Sequence, residues 1–330
     1  MKEILNELFE HKSLTYKRAK EVLTNIGQGQ YNHSQIAAFL TVFLMRSITI
    51  DELAGFRDAL LNLCIKIDLS DFETIDLCGT GGDGKDTFNI STLTSFIVAG
   101  AGYKVSKHGN YGVSSGVGSS NMLEYLGYQF TNDADKIRKS IDKAGICFLH
   151  APMFHPAMKN VGPVRRELKV KTFFNILGPM VNPSFPENQM VGVYNLEVAR
   201  LYAYLYQKSD KNFAIIHALD GYDEVSLTGD FKRITSQSDE ILSTEYFGFE
   251  KIQANEIASG GNVEQAAKIF LDILQNKGTK AQTNTVLANA ALAIQVMNNK
   301  SIDECLYEAK ESLESGKAHQ SLKKLLEVSV

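Results

Sequence analysis

The chain of 330 residues has little that would mark it as secreted, membrane-embedded or a general binder of nucleic acid. Its four cysteines (Cys64, Cys78, Cys147 and Cys305) are widely scattered with no Cys-x-x-Cys pair, which excludes a disulfide frame and a zinc site of the usual spacing. Apolar runs are short, and the longest, such as residues 37–45, fall far below the length that crosses a bilayer. Met1-Lys2-Glu3-Ile4 leads directly into a helical pattern without the apolar core of a signal peptide, so a cytoplasmic protein is expected. There is no basic excess: the net charge of −4 argues against a broad face for nucleic acid, so any phosphate must be held by a local cradle. No internal repeat and no low-complexity tract interrupts the chain. Outside residues 152–186 there is no proline, and all 6 prolines fall within that stretch, where linkers and a hinge are expected.

What is present divides into two parts. Roughly the first 65 residues read as helices: Ile4, Leu5, Leu8 and Phe9 share one helical face, as do Ala19, Val22, Leu23 and Ile26. Gly27 and Gly29 punctuate the second helix, a third covers about residues 34–46, and Thr49 with Glu52 forms a capping box for a fourth. Such short helices bury little alone, so this segment must pack on something else. Beyond it, strand patterns at residues 74–78, 103–106, 146–149, 190–194 and 213–219 alternate with helical ones at 135–144, 196–207 and 263–275. That alternation predicts an α/β fold: a small helical N-terminal domain (1–68, joined by part of 155–185) and a large α/β domain (69–330) with a central, largely parallel sheet.

Four stretches carry chemistry. The first, Gly79-Thr80-Gly81-Gly82-Asp83-Gly84-Lys85-Asp86-Thr87-Phe88-Asn89-Ile90-Ser91-Thr92, follows a strand and opens a helix, where α/β sheets place their ligands. Its glycines let backbone amides approach a phosphate, and Asn89, Ser91 and Thr92 add donors at a helix start that favours anions. The spacing fits neither a Walker A loop nor a dinucleotide fingerprint. The second, Lys107-His108-Gly109-Asn110-Tyr111-Gly112-Val113-Ser114-Ser115 running on to Gly118-Ser119-Ser120-Asn121, sets a lysine at a strand end beside a glycine loop, where it can neutralise a diphosphate. In the third, Asp220-Gly221-Tyr222-Asp223-Glu224-Val225, a glycine turn can direct two adjacent carboxylates to one place, as magnesium requires. The fourth contains His150, His155, Arg165, Arg166 and Thr172-Phe173-Phe174-Asn175-Ile176-Leu177-Gly178-Pro179, and an arginine among aromatics suits a flat ring carrying a carboxylate. Each has a plain structural explanation when taken alone: a turn, a hydrogen-bonded histidine, an exposed acidic loop, a solvated helix face. Their joint occurrence in this order does not.

Together they resemble the anthranilate phosphoribosyltransferases, and the resemblance spans nearly the whole chain, including Gly192-Val193-Tyr194 and Asn289-Ala290-Ala291. It implies a nucleoside-phosphorylase-like phosphoribosyltransferase fold and a homodimer, with phosphoribosyl pyrophosphate and anthranilate as substrates. Gly79, Thr80, Gly82, Asp83, Thr87, Asn89, Ser91, Thr92, Lys107 and Ser119 match the family's phosphoribosyl pyrophosphate positions. Asp223 and Glu224, assisted by Ser91, match those that hold two magnesium ions. Gly79, His108, Asn110, His155, Arg165 and Gly178 match the anthranilate pocket, and Lys107, Arg165, Asp223 and Glu224 are the expected catalytic residues. Lys169 stands where the family commonly has glycine, and Lys171 where it commonly has arginine. The resemblance leaves open an anthranilate synthase or glutamine amidotransferase partner. Pyrimidine nucleoside phosphorylases share the fold but are longer and carry different glycine and lysine motifs, and a non-catalytic nucleic-acid-binding relative would lack the complete loop and gain basic patches. No Ser-His-Asp or Cys-His arrangement is evident.

Overall fold

A computed structural model describes residues 1–112 and 116–329. The chain forms two compact units, Met1–Lys66 with Ala151–Phe185 and Ile67–His150 with Pro186–Val330. The smaller unit opens with four helices, α1 (Lys2–Phe9), α2 (Tyr16–Gly27), α3 (His33–Met45) and α4 (Ile50–Leu63). The expected capping box of α4 is present: Thr49 Oγ1 accepts from Glu52 N, and Glu52 Oε2 accepts from Thr49 N at 2.9 Å. Glu52 does more than cap. It is fully buried, and its carboxylate also takes Arg46 Nη1 at 2.9 Å and Leu14 N at 2.9 Å. Phe173 brings the later segment into this unit by stacking on Phe56, with ring centroids 4.5 Å apart.

The larger unit is built on one seven-stranded sheet in the order β3-β2-β1-β4-β5-β6-β7. The strands are β1 (Thr74–Gly79), β2 (Lys104–Gly109), β3 (Ile146–His150), β4 (Asn188–Gly192), β5 (Asn212–Ala218), β6 (Phe231–Ile234) and β7 (Asp239–Leu242). The first five run parallel, and β6 and β7 are antiparallel additions at one edge. Helix α5 (Ile90–Gly100) follows β1 and is buried along most of its length. The sheet is thus largely parallel, as the alternating pattern predicts.

Beyond one-residue shifts at other strand ends, β4, β2 and the last two strands differ from the sequence reading. β4 starts two residues early because its polar beginning is paired: Asn188 is fully buried and takes a bond from Asn212 Nδ2 at 2.9 Å, and Gln189 Oε1 accepts from Tyr206 OH at 2.8 Å. β2 extends through Lys107 and His108, which therefore lie within the strand rather than after it. β6 and β7 carry no apolar run to announce them. Their pairing is fixed across the strands, with Arg233 Nη2 on Glu240 Oε2 at 2.6 Å. Among the described residues no helix is long and apolar enough to cross a membrane.

The strand order decides where a ligand can sit. From β1 the chain winds outward to β2 and β3, then returns to place β4 on the other side of β1. The crevice at the carboxyl ends of β1 and β4 is therefore the topological switch point, the usual ligand position of an open parallel sheet.

Candidate active site

Gly79 and Gly192 end β1 and β4 side by side, and Thr80 N donates to Gly192 O at 2.9 Å. Neither position has room for a side chain. A Cβ at Gly79 would lie 2.3 Å from Asp223 Oδ2, and one at Gly192 would lie 1.4 Å from Asp223 O. The two glycines let the loop bearing Asp223 rest directly on the sheet edge. Gly81 and Gly82 then take positive φ angles of 63° and 79°, which turns Gly81 N toward Asp223 Oδ2 at 2.7 Å.

The acidic pair is delivered by the turn the sequence anticipates. Gly221 has φ of 103°, and Ala218 N bonds to Tyr222 O at 3.0 Å across it. Asp223 reaches the glycine loop, while Glu224 Oε1 accepts from Ser91 N at 2.9 Å in the first turn of α5. Burial raises the Asp223 carboxyl to about 7, with the neighbouring charge of Asp83 adding to the rise. Burial and then the charge of Asp223 push Glu224 well above the ordinary carboxylate range. Both shifts run in the direction of a spot that disfavours uncompensated negative charge, and a divalent cation would relieve it. Among the described residues no group of three His, Cys, Asp or Glu side chains is arranged to hold a metal alone. A carboxylate pair with an adjacent serine hydroxyl still fits magnesium, which binds through one or two carboxylates, waters and substrate phosphates.

Lys107 lies beneath this edge, only 2% exposed. Its Nζ bonds to Leu77 O and lies 3.5 Å from Ser91 Oγ, so it supplies positive charge from below rather than a free arm into the crevice. Burial pulls its ammonium below the usual range, against the upward pull of Cys78, Asp76 and Glu224. His108, the next residue of β2, is buried with its backbone N on Asp76 Oδ1 at 3.1 Å.

Around the crevice, Thr80 Oγ1 and Asn89 Oδ1 are buried without a hydrogen-bond partner among the described residues. Asn89 is held by its other atom, Nδ2, which donates to Val117 O at 2.9 Å. Such orphaned polar atoms beside an acid pair and a helix start are what a polar ligand satisfies. Thr92 is buried in α5, Thr87 pairs with Ala258 in a short antiparallel bridge, and Ser119 Oγ bonds to Asn110 O at 3.3 Å. Asn110 is exposed just past β2. Val113, Ser114 and Ser115 of the second motif lie outside the described residues.

The remaining candidates belong to the smaller unit. Arg165 sits on the helix Gly162–Leu168, half-buried, with its guanidinium 5.4 Å from the Phe174 ring centre and Nη2 on Asn175 Oδ1 at 3.3 Å. Among the described residues no carboxylate pairs with it, and burial lowers its pKa. Arg166 beside it is exposed. His155 is buried, which holds its imidazole neutral with a pKa of about 4. Gly178 borders open space, with nothing within 4 Å of a built Cβ. Lys169 takes the left-handed conformation, φ 52°, at the end of the Arg165 helix. Glycine, the residue the resemblance leads one to expect there, takes that conformation without a Cβ penalty. Sequence reasoning gave no role to Gly192 or to the buried Asp76. Gly192 falls inside a strand pattern and within the resemblance, but the reason for a glycine there lies in a loop far away along the chain.

The α/β unit and the helical unit are the two domains of a sugar-transferring enzyme family. The glycosyl transferase family, a/b domain, matches residues 71–319, and the helical bundle domain of the same family matches residues 2–64. An anthranilate phosphoribosyltransferase of Christiangramia forsetii is 62% identical over 329 residues, covering 100% of this chain and 99% of that protein. The crystal structure of anthranilate phosphoribosyltransferase from Thermus thermophilus superposes with a TM-score of 0.92 at 28% identity, covering 98% of each chain. The Saccharomyces cerevisiae enzyme, solved in complex with PRPP and Mg, gives a TM-score of 0.91 at 26% identity, covering 98% of this chain and 96% of that one. The chain belongs to the anthranilate phosphoribosyltransferase family.

Proposed function

We propose that the crevice at β1 and β4 holds phosphoribosyl pyrophosphate, with two magnesium ions at Asp223 and Glu224, and that Arg165 receives the carboxylate of anthranilate. The reaction is the family's: the phosphoribosyl group passes from phosphoribosyl pyrophosphate to the amine of anthranilate, giving N-(5-phosphoribosyl)anthranilate and pyrophosphate in tryptophan biosynthesis. The observation that carries the site assignment is the convergence of two carboxylates from one loop onto the glycine-loop amide of Gly81 and the first-turn amide of Ser91. These amides already donate to carboxyl oxygens of the chain itself, and the same donors suit the oxygens of a diphosphate.

The chemistry is a displacement at the anomeric carbon. The amine nitrogen forms the new C–N bond, the C–O bond to pyrophosphate breaks with its electron pair on the departing oxygen, and the amine releases a proton. The ribose carbon gains oxocarbenium character while negative charge accumulates on the leaving group. Bound at the acid pair, magnesium would supply neutralising charge for that leaving group. Lys107 contributes a second positive charge from beneath, pre-positioned by Leu77 O. Thr80 and Asn89 offer polar atoms that lack partners among the described residues, and the resemblance assigns Ser91, Thr92 and Ser119 to the same ligand. In the smaller unit, Arg165 offers a forked donor with no carboxylate of its own among the described residues. The Phe174 ring lies 5.4 Å from that guanidinium, and neutral His155 adds no competing charge.

The homodimer expected from the resemblance has one support: Leu44 and Met45 at the end of α3 are 44% and 83% exposed, and Phe9 of α1 is 61% exposed. A cytoplasmic location agrees with four free cysteines. The test of the site is anthranilate fluorescence followed with phosphoribosyl pyrophosphate and magnesium, each omitted in turn. Consumption should need both, and Asp223→Asn combined with Glu224→Gln should remove most turnover. Near-normal rates of that double variant at low magnesium would overturn the metal assignment.

A further inference from the structure

The Asn289-Ala290-Ala291 motif takes no part in the site described above, yet it lies against it. The helix Lys280–Asn298 is buried on nearly every side, with Val286, Ala288, Ala290, Ala291, Ala293 and Ile294 at 0% exposure. Asn289 places a carboxamide in that apolar setting at 2% exposure. Asparagine is a modest helix former, and an unpaired amide there would cost more than the helix gains. The amide is instead fully bonded. Its Oδ1 accepts from Val225 N at 3.1 Å, and its Nδ2 donates to Val225 O at 2.8 Å and to Thr285 O at 2.8 Å. Since Val225 offers one donor and one acceptor, a single orientation of the amide satisfies both.

Val225 directly follows Glu224, and residues 223–228 belong to no helix or strand. A side chain from a rigid, fully packed helix therefore replaces the ladder that a strand would have given this loop. We propose that Asn289 is a positioning residue for the magnesium-binding pair: its two-way bond to Val225 fixes the acid loop so that Asp223 and Glu224 reach the crevice together. The inference rests on the reading of that pair as the metal site. Outer partners of this kind orient ligands without touching the metal, and their loss commonly weakens metal binding by about tenfold or more.

The test measures Mn2+ binding directly by electron paramagnetic resonance, with phosphoribosyl pyrophosphate present and no anthranilate, so that turnover is not the readout. Asn289→Leu removes both bonds, and Asn289→Asp keeps the acceptor and loses the donor. Leu292→Ala is a destabilised control in the same helix that leaves the amide intact. Asn289→Leu should weaken Mn2+ binding by about tenfold, Asn289→Asp by a smaller factor, and Leu292→Ala should lower the Tm without moving Mn2+ binding. If Asn289→Leu fails to fold, Asn289→Asp carries the comparison, with exchange of the Val225 amide proton as a metal-free measure of the loosened loop. Mn2+ binding within twofold of native in the folded Asn289 variants, or an equal shift in Leu292→Ala, overturns the proposal. Failure of the underlying reading is separate: Asp223→Asn with Glu224→Gln would then bind Mn2+ normally.

Discussion

Replacing Gly192 by alanine tests the site's geometry with one methyl group. The backbone there is not in the left-handed region, so no conformational strain confuses the result. The new Cβ would sit 1.4 Å from Asp223 O, in a place where carbon and oxygen approach no closer than about 3 Å. The acid loop must then retreat by roughly 1.5 Å or more. A movement of that size breaks the 2.7 Å bond from Gly81 N to Asp223 and the 2.9 Å bond from Ser91 N to Glu224. Misplacement of catalytic groups by about 1 Å costs on the order of a hundredfold in rate, and overpacking of this kind costs about 1–3 kcal/mol of stability. Gly192→Ala should therefore fold with a lowered Tm and lose about a hundredfold in kcat/KM by anthranilate fluorescence. Gly229→Ala on the same loop, where a Cβ meets Asp220 only at 3.5 Å, should remain near native. If Gly192→Ala stays within threefold of native turnover, the packing of Asp223 on the sheet edge is not what sets the site.

Three further outcomes follow from the same geometry. Arg165→Ala should raise the KM for anthranilate by roughly tenfold, a loss of about 1.4 kcal/mol, with little change for phosphoribosyl pyrophosphate. Arg165→Lys should recover only part of it and exposed Arg166→Ala should be neutral; equal behaviour of the two alanine variants would remove the carboxylate role. In metal-free protein, Asp223 has a folded pKa of about 7, above its unfolded value, so its proton is a source of stability that is full at acid pH and lost as pH rises toward 7. The Tm advantage of Asp223→Asn over the native chain should therefore grow from pH 5 to pH 8, and a constant difference would contradict the raised pKa. Lys169→Gly relieves the positive φ at the end of the Arg165 helix and should stabilise by about 0.5–1 kcal/mol in chemical denaturation, whereas a loss would mean the side chain makes compensating contacts.

The sequence determined what can be encoded locally. Spacing of apolar residues fixed the helical N-terminus and the β1, β3 and β5 strands, and Thr49 with Glu52 announced the start of α4. The glycine loop after β1 and the turn at Gly221 could be read because each depends on φ angles that few residues besides glycine adopt. Asp223 and Glu224 were legible because adjacency in the chain survives folding. Tertiary structure alone decided what depends on distant partners. Gly192 is required by a carbonyl oxygen more than thirty residues later, and Asn289 by the backbone of Val225. Lys107 looked like an arm at a strand end, yet the extension of β2 buries it with its Nζ on Leu77 O, where it can offer charge but not reach. The edge strands β6 and β7 stayed hidden because cross-strand ion pairs, not an apolar stripe, set their register. Which groups share the crevice followed from the strand order, and no local pattern records that β4 returns to lie beside β1.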